Sequence, residues 1–243
     1  MKRRSGKRGK PRARVRVQES RHGRSLIVDE TFASFYRAES PLTGSVWDAI
    51  AAPVLALEPG RCRRVLVLGL GGGSVARLLR ALVPEAEIVG VELDADVVRA
   101  AREHFDLDAL GVEVHVEDAL AFLARDRRRY DAIFEDVFIG HGDDVHKPSW
   151  IPEPGHGLAT RRLREGGLLV SNTLDEAARV ARALRARFPG LVRIEVTDYD
   201  NRILAAGPAE LDARGLRARV AAHPILGASL GALHFRGVRG RGE

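Results

Sequence analysis

Four polar segments of the sequence combine residue types that could hold a nucleoside and move a proton. The first is a glycine run at 69–73, and the others contain Glu92, the pair Glu117 and Asp118, and Asp136. Each segment directly follows an apolar stretch of strand length. Glycines let a backbone turn sharply and approach a ligand closely, and carboxylates accept hydrogen bonds and protons.

The glycine run and Glu92 have the spacing of a nucleoside site. The sequence GLGGG lies between a strand-like and a helix-like segment, so Gly69, Gly71 and Gly73 are predicted to contact the ligand. Glu92 follows about 20 residues later, where a carboxylate can accept hydrogen bonds from both ribose hydroxyls. Leu93 is assigned to the same site. The alternative for Glu92 is a surface acid at a strand end.

The acids after the third predicted strand have two interpretations. Glu117 or Asp118 could accept a hydrogen bond from an adenine amino group, and Ala119 is assigned to the same nucleoside site. Asp118 also stands where a helix begins, and capping of that helix is an equally good explanation for it.

Asp136 is the candidate catalytic residue. Neighbouring strand residues face opposite sides, so only one of Glu135 and Asp136 can face the cleft, and we favour Asp136. Such an acid can orient an amine nucleophile or take its proton. A purely structural role is less favoured, because an unpaired acid at a buried sheet end is costly. Asn172 could reach the same site or could serve only in a turn.

The elements that must position these residues alternate between strands and helices. Predicted strands cover 64–69, 87–92, 112–116, 130–137 and 167–172, and predicted helices cover 74–82, 94–104, 118–125, 158–164 and 174–188. Apolar strands separated by helices indicate a mostly parallel sheet covered on both faces. Ligands bind beyond the carboxyl ends of such strands, which brings the four polar segments together.

The flanking regions complete the predicted domain organisation. Residues 14–17 could pair with a strand at 24–29, and residues 42–57 suit a helix that Pro53 bends or divides. Strands at 192–197 and 202–206 form an antiparallel pair, and a last helix covers 210–222. We predict a basic disordered tail at 1–16, a reduced N-terminal β-hairpin segment at 17–41, a catalytic domain at 42–235, and a basic C-terminal tail at 236–243.

The order of glycine loop and three acids is typical of a Rossmann-like class I methyltransferase fold. We expect an α/β chain with a mostly parallel seven-stranded sheet, helices on both faces and a short N-terminal β-hairpin. A dinucleotide enzyme would share the first two features, but the sequence shows neither a second phosphate-binding unit nor a clear substrate domain.

Composition excludes several classes of protein. Hydrophobic residues make up 45% of the 243 residues, enough for a sizeable core. Cys62 is the single cysteine, which excludes an intrachain disulfide framework and argues against a cysteine-based zinc site. No apolar run approaches the roughly 18–20 residues of a membrane span, and no apolar signal region follows the basic start. We expect a cytoplasmic protein with no membrane contact.

Charge is concentrated at the N-terminus. Residues 1–16 contain nine lysines and arginines and no acid, and since the whole chain is +6, the remainder is −3. A weak nucleic-acid contact through this tail is one interpretation. A solvated tail is the favoured one, because no aromatic residues alternate with the charges as single-strand binding would require.

Several stretches resemble the spermidine synthase (polyamine aminopropyltransferase) family. They are RRVLVLGLGGGSVARLLR, AEIVGVELDADVVRAAREHF, VHVEDALAFL, YDAIFEDVF and, near the N-terminus, ESRHGRSLIVDE. The resemblance covers about residues 19–207. It implies that Glu92 binds the ribose, that Asp118 lies at the adenine end, and that Asp136 positions or deprotonates the attacking amine. It further implies a homodimer as a candidate assembly.

The departures from the family concern the groups that hold a diamine. The family's glycine loop carries an acid where this chain has Gly72, and a second acid follows the strand-four acid where this chain has Ile139. A Tyr-His pair corresponds to Val46 and Trp47. A dication needs several carboxylates, so we expect a changed acceptor and consider a changed transferred group, with Trp47 and Ile139 near that acceptor.

The long loop at 138–156 has three interpretations. It is an active-site lid in which Trp150 closes over the acceptor, a metal site of His141, Asp143 and His146, or an ordinary solvated loop. Its length at the mouth of the site favours the lid. The metal site is disfavoured because no regular element fixes those ligands, and we predict no metal.

We therefore expect a transferase whose co-substrate is S-adenosylmethionine or its decarboxylated form. An alkyl group, methyl or aminopropyl, would pass to a small acceptor, most readily an amine. The alternatives are an S-adenosylmethionine-dependent methyltransferase with an unrelated acceptor, and a non-catalytic nucleoside-binding protein with an RNA-binding tail.

Overall fold

A computed structural model describes residues 14–58 and 60–238. The strands described there are β1 Val15–Ser20, β2 Gly23–Val28, β3 Thr31–Tyr36, β4 Arg64–Leu68, β5 Glu87–Glu92, β6 Val112–Val116, β7 Tyr130–Glu135, β8 Ile139–His141, β9 Asp144–His146, β10 Leu163–Thr173, β11 Gly190–Val196, β12 Arg202–Gly207 and β13 Leu233–Gly237. The α-helices are α1 Val46–Ala51, α2 Ser74–Leu82, α3 Ala95–His104, α4 Ala119–Arg125, α5 Gly155–Arg162, α6 Ala177–Arg185 and α7 Ala213–Ala222.

The central sheet has the strand order β6-β5-β4-β7-β10-β12-β11-β13. Strands β6 through β10 pair in parallel, and β12, β11 and β13 continue the sheet with antiparallel pairs. The predicted α/β fold is confirmed, but the sheet has eight described strands where we expected seven. The additional strand is β13, which pairs with β11 at the edge. Its half-exposed sequence LHFRG lacks the apolar run that marked the interior strands.

Helices cover both faces of this sheet, as predicted. One hydrophobic cluster joins the sheet to α1, α2 and α7, and a second joins it to α4, α5 and α6. Strand β4 is buried at four of its five positions, as expected for a central strand with helices on either side. Asp94 caps α3 by accepting a hydrogen bond from Asp96 N, which fixes where that helix begins.

The N-terminal segment forms a three-stranded antiparallel sheet and not only a hairpin. Strand β1 begins at Val15, so Arg16 belongs to the sheet and not to the tail predicted at 1–16; residues 1–13 lie outside the described residues. Strand β3 is the unpredicted member. It contacts the central domain through Phe35, whose N–H donates to Ser74 Oγ at the start of α2 (2.9 Å).

Residues 138–156 are more regular than the irregular loop we expected. Strands β8 and β9 pair as a short hairpin. The tip of this hairpin docks on the turn between β2 and β3, because Gly142 N donates to Asp29 O and Thr31 Oγ1 donates to Gly142 O. These two contacts tie the segment to the N-terminal sheet.

The ends of the described structure refine the predicted boundaries. Arg236 lies within β13 and so is not part of a tail, whereas residues 239–243 lie outside the described residues. Helix α1 ends at Ala51 and the 3-10 segment Ala52–Ala56 follows directly, so the helix predicted over 42–57 is shorter and is divided next to Pro53. In the ranges that the structure describes, none of the helices has the length and apolar character that crossing a bilayer requires.

Candidate active site

The glycine run connects the carboxyl ends of three central strands. Gly69 follows β4, and its N–H and that of Leu70 donate to Val91 O in β5. Gly69 has a φ of +80°, and a Cβ placed there would overlap the carbonyl oxygen of Asp136 after β7. Only glycine fits both the backbone conformation and the close approach. The loop therefore lies directly against the candidate catalytic residue.

All five N–H groups of the glycine run have acceptors within the protein. Those of Gly69 and Leu70 are described above, Gly73 N donates to Leu70 O, and Gly71 N donates to Glu92 Oε2 (2.9 Å). Gly72 N donates to Ser34 Oγ in β3 (2.7 Å). The carboxylate of an S-adenosylmethionine ligand could accept hydrogen bonds from these N–H groups only if they gave up their present acceptors.

Glu92 is held rigidly at the end of β5. Its carboxylate accepts hydrogen bonds from the N–H groups of Gly71, Leu93 and Asp94. Burial raises the pKa of Glu92, and the three N–H donors oppose that rise. Leu93 is 51% exposed and Val116, at the end of β6, is 50% exposed. A partly buried carboxylate at this place can accept from a ribose hydroxyl pair, and the two exposed apolar side chains beside it can cover the faces of a purine.

The structure separates the two acids after β6. Asp118 caps α4 by accepting from Ala121 N (3.0 Å), so the capping interpretation holds for it. Glu117 pairs with Arg125 at the surface, and this hydrogen bond lowers its pKa. Ala119 is buried in the first turn of α4. Their assignment to the adenine end stays a prediction.

Asp136 is bound by two side chains from different elements. Its Oδ1 accepts from Asn172 Nδ2 at the end of β10 (2.7 Å), and its Oδ2 accepts from Trp47 Nε1 in α1 (3.2 Å). Asn172 in turn accepts from Asn201 Nδ2 (2.9 Å). Burial raises the pKa of Asp136 to about 6, although Lys147 and Asn172 oppose that rise. A fixed carboxylate that titrates near neutrality is suited to accept a proton.

Glu135 lies in a separate cluster that the sequence analysis did not identify. It forms a buried ion pair with Lys147 Nζ (2.6 Å) and accepts from Ser171 Oγ (2.6 Å). Despite burial, Lys147 and His156 lower the pKa of Glu135 to about 2. One signal in the sequence could have revealed the cluster, because Lys147 is the single lysine after Lys10 in an arginine-rich chain.

The predicted acceptor-side residues have different surroundings. Trp47 contacts Asp136 and packs edge-on against Phe32 of β3. Ile139 is exposed in β8. Trp150 instead packs on the second hydrophobic cluster and against the backbone of Gly155. Trp150 therefore contacts the core, and its role in a lid stays a prediction.

The histidines of the 138–156 segment do not converge. His146 lies 3.9 Å from the exposed Asp144, and His156 is buried near Glu135. Among residues 14–58 and 60–238, no group of three or more His, Cys, Asp or Glu side chains has the arrangement of a metal site.

Comparisons with known proteins agree with this fold. Residues 65–167 match the methyltransferase domain family. Over 133 residues the chain is 35% identical to a probable polyamine aminopropyl transferase of Bifidobacterium longum, covering 54% of this chain and 28% of that protein. The fold superposes on a probable spermidine synthase from Corynebacterium glutamicum with a TM-score of 0.73 at 21% identity, covering 93% of this chain and 88% of that one.

The chain resembles spermidine synthases in sequence and has a methyltransferase-like fold. A second solved structure, human methyltransferase-like protein 13 in complex with SAH, superposes with a TM-score of 0.63 at 24% identity, over 80% of this chain and 93% of that one. The chain spans less than half the length of the first curated relatives that it matches. The resemblance seen in the sequence is confirmed.

The N-terminal sheet explains one departure of this chain from the family that it resembles. A Cβ at Gly72 would lie 2.8 Å from Ser34 Cβ and 3.3 Å from Phe105 Cδ1. The position at which the resembled family carries an acid is therefore closed by β3. Without movement of Ser34, this position has no room for a carboxylate.

Proposed function

We propose that this chain transfers an alkyl group from an S-adenosyl donor to a small acceptor, with an amine as the acceptor. The observation that carries the proposal is Asp136, fixed by Trp47 and Asn172 directly beside the glycine loop. Its raised pKa suits the removal of a proton at neutral pH. The names of the polyamine aminopropyltransferase relatives support a small amine as acceptor.

The residues at the ends of β4, β5 and β6 fit such a donor. Glu92 would accept the ribose hydroxyls, and the exposed Leu93 and Val116 would cover the purine. The human neighbour was crystallised with SAH, a product-like member of this ligand class. When bound, the donor supplies an electrophilic carbon attached to a sulfonium, which is a good leaving group.

The residues of the chain then have three tasks. They align the acceptor nitrogen with the carbon and the sulfur, keep the nitrogen unprotonated, and receive the proton that it loses. The new nitrogen–carbon bond forms as the carbon–sulfur bond breaks, and the sulfonium becomes a neutral thioether. Asp136 takes the proton from the nitrogen. Asn172 and Trp47 keep the carboxylate aimed while this happens.

Methyl transfer is the version that the site geometry favours. The Gly72 position has no carboxylate to bind the amine of a decarboxylated donor, and Ser34 fills the space that one would need. Ile139 likewise supplies no charge for a second acceptor amine. A dication would meet fewer carboxylates here than its desolvation requires.

Aminopropyl transfer is the second candidate. It is favoured by the names of the curated relatives, among them the polyamine aminopropyltransferase of Vibrio vulnificus, which is 34% identical over 124 residues.

The nucleoside product distinguishes the two reactions. The protein is incubated with intact or decarboxylated S-adenosylmethionine and a panel of mono- and diamines, and the products are separated by chromatography. Methyl transfer releases S-adenosylhomocysteine, whereas aminopropyl transfer releases methylthioadenosine. We expect S-adenosylhomocysteine from the intact donor, dependent on the acceptor. If neither nucleoside forms with any acceptor or donor, while both donors bind, the proposal of a transferase is contradicted.

A further inference from the structure

The Glu135 cluster surrounds a cation that the reaction described above does not use. The Lys147 side chain is 0% exposed, and the Glu135 side chain is 1% exposed. Removing two charges from water is costly, and replacing such a pair with apolar residues often does not destabilise a fold. A buried pair beside an active site therefore calls for an explanation other than stability.

The contacts of Lys147 enclose the backbone that carries Asp136. Its Nζ donates to the Glu135 carboxylate before Asp136 (2.6 Å) and to the carbonyl oxygen of Val137 after it (2.9 Å). The same ammonium lies 3.9 Å from the ring centroid of Phe138. Glu135, Val137 and Phe138, which flank Asp136 in the chain, thus all contact the same ammonium.

The remaining groups around this cation fix it in place. The backbone N–H of Lys147 donates to Glu176 Oε1 (2.8 Å), and Val137 N donates to Glu135 Oε1 (2.8 Å). Ser171 Oγ donates to the other Glu135 oxygen, and His156 Nε2 lies 3.5 Å from it. The 138–156 segment is therefore anchored at Lys147 as well as at the hairpin tip.

We propose that Lys147 is a positioning residue that fixes the Glu135–Phe138 backbone and keeps the Asp136 carboxylate in its charged form. The inference rests on the proposed function in one respect, since it takes Asp136 as the proton acceptor. A compact ammonium fits a site closed on all sides, where a guanidinium would need more room. The chain uses arginine for all its other cations after Lys10, which singles out this position.

The charges that act on Asp136 come from both sides of its strand. Trp47 and Asn172 donate hydrogen bonds to it, Lys147 stabilises its charged form, and Glu135 destabilises it. The pKa of Asp136 should therefore rise when the charge of Lys147 is removed and fall when that of Glu135 is removed. A role limited to folding would not produce shifts in opposite directions.

Titration of Asp136 by NMR tests this without any knowledge of the acceptor. The full chain is labelled with carboxyl-¹³C aspartate, and the Asp136→Asn variant assigns the resonance. Lys147→Met should move the midpoint upward by about one pH unit or more, and Glu135→Gln should move it downward. The control is Arg61→Met, which removes an exposed positive charge just before β4, at the opposite end of the sheet, and should leave the midpoint unchanged.

The double variant Glu135→Gln with Lys147→Met guards against a failure to fold. It leaves no unpaired buried charge, and it differs from Glu135→Gln only in the lysine, so its midpoint should be the higher of the two. Two results would overturn the proposal. One is an equal Asp136 titration midpoint in Glu135→Gln and in the double variant. The other is a midpoint in Lys147→Met at or below that of the native chain. The failure of the proposed function is separate, because it would appear as turnover that survives in Asp136→Asn.

Discussion

Two adjacent carboxylates at the end of β7 have opposite protonation behaviour. The pKa of Asp136 is raised to about 6 by burial, whereas Lys147 and His156 lower that of Glu135 to about 2. The alternation of side chains along a strand directs one to α1 and the other to the cluster around Lys147. Their surroundings, and not the residue type, make Asp136 the better candidate for the proposed proton acceptor and favour the charged form of Glu135.

Replacement of Asp136 by Asn should reduce the rate of transfer and spare donor binding. A positioned general base contributes roughly 10²- to 10⁴-fold to a rate, and we expect a loss in that range. Steady-state kinetics and calorimetry with the donor measure the two effects. The matched control is Asp131→Asn in the same strand, where the carboxylate accepts from Arg63 N and Arg64 N at the opposite end of the sheet. Equal losses of rate in both variants would argue against the assigned role.

The same variant should be more stable than the native protein at alkaline pH. Because the pKa of Asp136 is about 6 in the fold and 3.8 ordinarily, its ionisation costs folding free energy that is fully present above pH 6 and absent below about pH 4. Asn at 136 carries no charge at either pH. The midpoint of thermal unfolding should therefore rise relative to the native chain at pH 8 by more than it does at pH 4. If the variant instead exceeded the native chain in unfolding midpoint by more at pH 4 than at pH 8, the fold would stabilise the charged carboxylate, contrary to this prediction.

The elements that were predicted correctly are those with strong local signals. Strand β5 and helix α2 have the predicted bounds, since the apolar run EIVGVE is continuous and Pro84 limits α2. Strands β3 and β13 were not predicted because each is a half-exposed edge strand with alternating, mixed side chains. The hairpin of β8 and β9 depends on contacts with the turn between β2 and β3, which no local pattern encodes.

The contact between β3 and the glycine loop makes Gly72→Ala a test of element packing. The new Cβ would lie 2.8 Å from Ser34 Cβ, so we expect the unfolding free energy to fall by about 1–3 kcal/mol, as for other overpacked sites. Urea denaturation measures the loss.

The paired variant Ser34→Gly with Gly72→Ala is the control for that change, because it removes the opposing Cβ. Adding Gly72→Ala to Ser34→Gly should lower the unfolding free energy by less than Gly72→Ala lowers it in the native chain. If Gly72→Ala is as stable as the native chain, β3 does not close this position, and the argument against a carboxylate there is lost.

The whole chain combines a near-neutral domain with a basic N-terminus that lies mostly outside the described residues. The domain was predictable as a whole because strands, helices and acids follow one another in a single order. The surroundings of Asp136 were not predictable in this way, since Trp47 of α1, Asn172 and Asn201 meet only in the fold. The proposed role of Lys147 was not predictable either, because it depends on contacts with Glu135, Val137 and Phe138 that form only in the fold.

Removal of residues 2–13 tests the role of the basic segment. Strand β1 begins at Val15, so this truncation leaves the sheet intact, and donor affinity should change less than about twofold, well under the 1.4 kcal/mol of a tenfold effect. The RNA-binding alternative instead predicts an affinity for RNA that falls steeply with salt and disappears on truncation. Filter binding at several salt concentrations separates the two, and a salt-dependent affinity lost with the segment would favour that alternative.

The proposed binding of an S-adenosyl donor is tested most directly by calorimetric titration with S-adenosylmethionine, its decarboxylated form and methylthioadenosine. We predict that the native chain binds S-adenosyl ligands, with intact S-adenosylmethionine bound more tightly than the decarboxylated form. Glu92→Ala should weaken binding roughly tenfold to a hundredfold, the range for a lost hydrogen bond to a charged group. Tighter binding of the decarboxylated form would favour aminopropyl transfer over methyl transfer. Absence of binding for all three ligands would contradict the account as a whole.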